Sequence, residues 1–366
     1  MGLLDYYRQF EGMSEEEVNR ELREDDAQRK REALAKVPDL DLSQTTWHEL
    51  PHPRIANAIT FVARRGMHRY PIQREQELRD ELAANHRVPA ERLILGNGAA
   101  ELLSAATRAL LGRGQALITR WPTYPLYPLM ARRASADCVR VAGGTEELLA
   151  AACQPGARAV VIASPNDPTG TLTTSAELRM LLEGVPSGVA VLLDEALVDF
   201  VDAQSQSSSI ELLEEFPRLL VFRSFSKAWG LAGTRVGYAI GGPGSEQLLA
   251  ELDPDLGVSE LSQAGALEAI RSCRGLIQAR VGVIGRERPR LASALAARGF
   301  EVSDSQANFL WVRHPVLAGN AFAAELALQG ITVAIGDALG EAGHVRITLR
   351  SPEASERLLR AVDATL

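Results

Sequence analysis

The sequence predicts an α/β fold in which a mostly parallel sheet lies between helices, joined to a smaller α+β unit. Three observations carry this. Short, wholly apolar runs recur between residues 93 and 240 with helix-length stretches between them, as strands buried on both faces require. Several of these runs lead into unusual polar groups, and ligands collect beyond the carboxyl ends of strands in open α/β sheets. After Gly257 the pattern changes to two long helices followed by strands, which marks a second unit.

In chain order, the stretch 14–37 is rich in Glu, Arg and Lys with few apolar anchors, which suits an exposed helix or an arm lying on a partner subunit. Pro51, Pro53 and the polar 43–48 read as a loop. Strands are expected at Leu93-Ile94-Leu95, at Ala116-Leu117-Ile118, and over 159–162, 189–193, 219–222 and 236–240, with a short polar loop over 205–209. Helices follow over 258–273 and 276–298, then strands over 301–312, 331–335 and 344–348. Ser351 stands before Pro352 as a capping residue ahead of a proline at the first helical position, so 353–366 reads as a helix. The expected division is an N-terminal helical arm over 1–50 belonging with the smaller unit, a large unit over 51–257 and a small unit over 258–366.

A chain of 366 residues, 46% hydrophobic and 23% charged, is long enough for two cores. No run approaches the roughly 18 apolar residues of a membrane span, and the start is charged rather than basic and then apolar, so the expected location is the cytoplasm. A formal net charge of −8 argues against general nucleic-acid binding, which needs a basic footprint to displace counterions; small molecules are the expected partners. Cys138, Cys153 and Cys273 are far apart, with no CxxC pair or neighbouring His, so buried structural thiols are expected rather than a disulfide framework or a metal site.

Four segments carry chemistry. Gly96-Asn97-Gly98-Ala99-Ala100-Glu101 follows a strand and opens a helix, where free N–H groups and the helix dipole suit an anion; a plain tight turn explains it equally well. Ser164-Pro165-Asn166-Asp167-Pro168-Thr169-Gly170 follows the next strand but one. Asp194-Glu195 ends an apolar run, either as a functional acid or as a helix cap. The fourth is Arg223-Ser224-Phe225-Ser226-Lys227-Ala228-Trp229-Gly230, with Arg235 eight residues past the lysine. A single Lys is usually a surface charge, but one set among Ser, Phe, Trp and Gly after a buried strand can be desolvated and nucleophilic.

Together these segments resemble the fold-type I pyridoxal-phosphate enzymes, specifically class I/II aminotransferases of the histidinol-phosphate aminotransferase kind. The likeness runs from about residue 40 to the C-terminus and also takes in His68-Arg69-Tyr70-Pro71, Pro122-Thr123-Tyr124, Asn308-Phe309 and Val345-Arg346-Ile347-Thr348. The resemblance implies a seven-stranded large domain that binds pyridoxal 5′-phosphate, a smaller domain, and a homodimer with shared active sites. It implies that Lys227 holds the cofactor as a Schiff base and later moves the substrate proton, and that Asp194 pairs with the pyridinium nitrogen. Tyr124 would stack on the ring. Ala99, Ala100, Ser224, Ser226 and Arg235 would hold the phosphate, with Tyr70 reaching the phosphate of the neighbouring subunit. Asn166 and Asp167 would lie by the ring, and Arg346, with Asn308 adjoining, would bind the substrate carboxylate. The reaction implied moves an amino group from an amino acid, or a histidinol-phosphate-like amine, to a 2-oxo acid. The same fold and lysine also serve decarboxylases, lyases and cyclases, and such domains occur as cofactor-binding regulatory modules.

The chain departs from the pattern at three places. The loop usually reads Pro-Asn-Asn-Pro-Thr-Gly, its second Asn donating to the cofactor's O3′, but here that position is Asp167, and a carboxylate cannot donate. A tyrosine usually found after the acid motif is Leu197, so both O3′ donors are missing. Lacking them, the cofactor's imine is expected to hold its proton to higher pH. Finally, Val333 is followed by Ala334 where histidinol-phosphate enzymes carry an Arg for the substrate phosphate, which favours an ordinary amino acid as donor. Arg350, Arg313 and His48 remain as cations that could serve a phosphate from another direction.

Overall fold

Seven strands build the large sheet, and one short strand precedes them in the chain. They are β1 (Leu40–Asp41), then β2 (Leu93–Gly96), β3 (Ala116–Arg120), β4 (Asp137–Val141), β5 (Ala157–Ala163), β6 (Ala190–Asp194), β7 (Leu219–Ser224) and β8 (Gly237–Gly241). The large sheet runs β2-β8-β7-β6-β5-β3-β4. The strands β4, β3, β5, β6 and β7 are mutually parallel, while β8 runs antiparallel to both neighbours. The computed structural model describes residues 13–14, 16–17, 20, 23–24, 38–71, 74–202 and 209–366. The expected arm over 14–37 therefore lies mostly outside the described residues, as does the polar loop over 205–209 except for Ser209.

Alternation along β5 to β7 divides the apolar side chains between two faces. Val160, Ile162, Val191, Leu193 and Val221 join one core, and Ala159, Val161, Leu192, Leu220 and Phe222 the other. Both faces are covered by helices, which is why these strands read as unbroken apolar runs. β4 escaped that criterion because it is an edge strand with exposed Asp137, Val139 and Arg140.

The second region contains β9 (Glu301–Val302), β10 (Phe309–Arg313), β11 (Ile331–Thr332), β12 (Ala334–Ile335) and β13 (His344–Thr348). The expected strand over 301–312 is thus two strands around a loop. The expected strand over 331–335 is shared between two sheets, with β12 in the order β12-β13-β10-β9 and β11 pairing in parallel with β1. Phe309, Phe322, Val345, Ile347 and Leu358 form the core here. The helix Pro352–Asp363 is capped as expected, with the Ala354 N–H donating to Ser351 Oγ at 3.3 Å.

Two expectations need correcting. Pro53 does not lie in a loop: it opens the helix Pro53–Gly66, where the N–H it lacks has no intrahelical partner to lose. Of the three thiols only Cys273 is buried; Cys138 is half-buried and Cys153 is exposed. The helix Glu260–Ser272 packs on Pro53–Gly66, and its Ala266, Leu267 and Ile270 enter the core of the large sheet, while Ile277, further along the chain, joins the core of the second region with Leu42, Leu197, Phe200 and Ala228.

Candidate active site

Register sets three strand ends side by side: Ala163 of β5 pairs with Asp194 of β6, Asp194 with Phe222 of β7, and Ser224 with Gly237 of β8. The segments beyond these ends enclose a cleft of about 180 Å³. Lys227, Asp194, Asp167, Tyr124, Ala99, Ala100, Ser224, Ser226 and Arg235 all line it.

One end of the cleft is built for an anion. The helix Ala99–Leu110 starts at Gly98, whose φ of 89° belongs to the region that favours glycine, and its first two residues, Ala99 and Ala100, line the space. Arg235 is itself left-handed, at φ 56°, a conformation that costs a side-chain-bearing residue about 1–2 kcal/mol. That turn brings its guanidinium over Gly98, where Nη2 donates to Asn97 O (3.2 Å) and Nη1 to Ser226 Oγ (3.3 Å). A Cβ at Gly98 would run into the guanidinium, and one at Gly237 would strike the backbone of Gly98 and Ala99. These two glycines keep the cradle open.

The rest of the cleft is buried and ionisable. Lys227 Nζ donates to Thr45 Oγ1, and burial lowers its pKa, with the Asp167 and Asp194 charges acting against that shift. Asp194 is pushed up by burial, opposed by the Tyr127 hydroxyl donating to Oδ2 (2.8 Å) and the Ala196 N–H donating to Oδ1 (3.0 Å). Tyr124, whose pKa burial also raises, meets Tyr127 edge to face, with ring centroids 5.5 Å apart. Leu197, where a hydroxyl was missed in the sequence, is buried against the cleft.

Three expected residues stand elsewhere. Tyr70 is 72% exposed and outside the cleft. Asn166 is spent on its own loop: its Oδ1 accepts from Thr123 (2.6 Å) and its Nδ2 donates to Pro122 O (3.0 Å) and Thr169 Oγ1 (2.8 Å). Asn308, buried ahead of β10, donates through Nδ2 to Thr45 O (3.0 Å). Arg346, on β13, does not itself line the cleft but backs its wall: Nη1 donates to Asp167 Oδ1 and Nη2 to Ser43 O (2.8 Å).

Sequence reasoning missed Ser43, Thr45 and Thr46, which sit in a stretch read only as a polar loop, and Tyr127. The last lies close to Tyr124 in sequence, one residue into the helix Leu126–Arg133, but no residue pattern marks it as the partner of Asp194.

Residues 39–362 match the family model described as aminotransferase class I and II. Among named proteins, the chain is similar to an aromatic amino acid aminotransferase of Streptomyces coelicolor, 34% identical over 315 residues, which are 85% of this chain and 86% of that protein. It is similar also to histidinol-phosphate aminotransferase 2 of Ralstonia nicotianae, 34% identical over 321 residues, 86% of this chain and 85% of that protein. Two solved structures share the fold. Histidinol-phosphate aminotransferase from Sinorhizobium meliloti in complex with pyridoxal 5′-phosphate superposes with a TM-score of 0.81 at 21% identity, over 93% of this chain and 95% of that one. Aspartate aminotransferase from Thermus thermophilus with maleate gives 0.81 at 22% identity, over 93% and 95%.

Proposed function

The chain belongs to the class I and II aminotransferases, and from that premise we propose how its residues move an amino group from an amino acid, or a histidinol-phosphate-like amine, to a 2-oxo acid. Enzymes of this family depend on pyridoxal 5′-phosphate, and the cleft fits it: an anion cradle kept open by Gly98 and Gly237, a half-buried amine and a buried acid share one space. The cofactor supplies an aldehyde that captures amines and a ring that draws electrons from the adjoining carbon.

Lys227 Nζ holds the cofactor between turnovers and, once freed, takes the proton from the donor's amine-bearing carbon; burial favours its neutral, nucleophilic form. Asp194 would hold a proton on the ring nitrogen, and the positive charge so kept would offset the burial that disfavours its carboxylate. The Tyr127 hydroxyl and the Ala196 N–H fix the orientation of Asp194, and Tyr124 covers the ring face. The Ala99 and Ala100 amides, Ser224, Ser226 and Arg235 bind the phosphate. Asp167 and Pro165 of their loop line the cleft and would lie by the cofactor, with Asn166 holding the loop to Pro122.

Arg346 takes the substrate's carboxylate, with Asn308 holding the 43–46 segment beside it. Ala334, paired with Arg346 across β12 and β13, offers no cation to a substrate phosphate, which supports an α-amino acid as donor. The large sheet forms the cofactor domain and the second core the smaller one, which β1 joins through β11. Exposed Phe61, Met67 and Tyr70 support a homodimer in which Tyr70 reaches the neighbouring cofactor. The proposed compartment is the cytoplasm, where the thiols of Cys138, Cys153 and Cys273 stay reduced. Among the described residues no helix is long and apolar enough to cross a membrane.

The observation that carries this reading is the half-buried Lys227, its pKa lowered by desolvation, in one cleft with Asp194 and the Arg235 cradle. The test is a half-reaction on holoenzyme with a panel of amino acids, aromatic ones included, and histidinol phosphate, without acceptor. Pyridoxamine phosphate and the matching oxo product should form in equal amounts, and Lys227→Ala should abolish both. Carbon dioxide release without pyridoxamine phosphate would sink the reading.

A further inference from the structure

The guanidinium assigned to the substrate's carboxylate already holds one. Arg346 Nη1 donates to Asp167 Oδ1, and the two side chains are 10% and 12% exposed. Arg346 Nη2 donates to Ser43 O at 2.8 Å, so both terminal nitrogens are engaged before any substrate arrives. Nε is buried without a partner, and each terminal nitrogen keeps one further N–H besides the one it has committed. Below, the Phe309 ring lies 5.3 Å from the guanidinium carbon and packs against it. Asp167 is no remote surface acid: it lines the cleft with Lys227 and Asp194, and it comes from the large sheet's side while Arg346 comes from β13.

An incoming carboxylate has little to gain there. Arginine binds a carboxylate best through two parallel N–H donors, and here Asp167 must leave before the terminal edge is free. The exchange replaces one carboxylate with another and leaves Asp167 unpaired in a buried wall, the situation that makes breaking a buried ion pair costly. An amide at this position would donate hydrogen bonds and carry no competing charge. A substrate without a carboxylate on its amine-bearing carbon leaves the pair intact and meets none of this penalty.

We propose that Asp167 is a specificity-determining residue: it occupies the carboxylate subsite on Arg346, so that the enzyme distinguishes weakly between an amino acid and the amine that lacks its α-carboxylate. This rests on the proposed role of Arg346 as the carboxylate-binding residue. Amino acids and 2-oxo acids enter by displacing Asp167, and the affinity that Arg346 would otherwise give them is largely lost in that displacement. Amines are accepted without it.

The test compares the holoenzyme with Asp167→Asn, and with Asp167→Ser in case the first variant folds poorly. One readout is the ratio of kcat/KM for phenylalanine to that for phenethylamine. Changes in the cofactor's electronics caused by losing the Asp167 charge act on both substrates and cancel in the ratio. The ratio is expected to rise at least about 10-fold in the variant. The other readout is the Kd of 3-phenylpropanoate, which has the carboxylate and no amine and needs no turnover; it is expected to tighten by a similar factor. If both substrates turn over but the ratio and the Kd stay put, Asp167 does not compete for Arg346 and the inference is overturned, with transamination untouched. If neither substrate yields pyridoxamine phosphate, the activity reading suffers, and the 3-phenylpropanoate Kd still decides the inference: tighter binding in the variant upholds it, and unchanged binding rejects it.

Discussion

At the scale of single residues, the site depends on how each ionisable group is dressed. The Tyr127 hydroxyl bond to Asp194 favours the carboxylate, so Tyr127→Phe should raise the Asp194 pKa further. Losing one such bond costs about 1–2 kcal/mol, so kcat/KM should fall roughly 10-fold with its acid limb moved to higher pH, measured by a steady-state pH profile. A second group lies behind the cleft. Asp199 is half-buried, and desolvation raises its pKa to about 6, although Arg223 opposes this. A raised acid pKa contributes stability below its ordinary value of 3.8 that is lost as pH climbs through about 6. His86, lowered to about 3 chiefly by burial, has the opposite sign: its contribution is full above 6.5 and is lost as pH falls. Asp199→Asn removes only the first effect, so the variant's thermal midpoint relative to the parent should climb between pH 4 and 6; a flat difference would contradict the assignment. Lys227 and Asp194 were legible because each interrupts or follows a buried run. Thr45 was not, since nothing in 43–48 marks which loop residue a distant lysine will meet.

At the scale of elements, the strands of the large sheet come directly from the pattern, because burial on both faces demands unbroken apolar runs. β4 did not, because an edge strand is under no such demand. The joint between β8 and the helix Ala99–Leu110 is the tightest contact at the cradle. Gly237→Ala would push a methyl group into the amides of Gly98 and Ala99, so the helix N-terminus must move. Such overpacking costs about 1–3 kcal/mol, and the variant should also lose cofactor more readily, seen as a raised Kd for pyridoxal phosphate by fluorescence titration. A variant that keeps its cofactor affinity would show that the helix end is less confined than the backbone contacts imply.

At the scale of the whole molecule, the Asp167–Arg346 pair ties the loop that follows β5 of the large sheet to β13 of the second region. Arg346→Met leaves Asp167 buried without its partner and should cost about 3–5 kcal/mol of unfolding free energy, whereas the double variant with Asp167→Asn should recover most of that. Urea denaturation of the four species closes the cycle; additive losses would mean the pair is not coupled. The sequence by itself determined the α/β class and the doubly buried strands of the large sheet, and it singled out the polar segments at their ends, because each is written in local periodicity or in a short segment at a strand end. Only the tertiary structure decided that Asp167 and Arg346, 179 residues apart, share one hydrogen bond, that the helix Glu260–Ser272 belongs to the first core, and that Thr45 meets Lys227. Such partnerships depend on how separately folded surfaces come together, and no local pattern of residues encodes which polar groups will be left facing one another when they do.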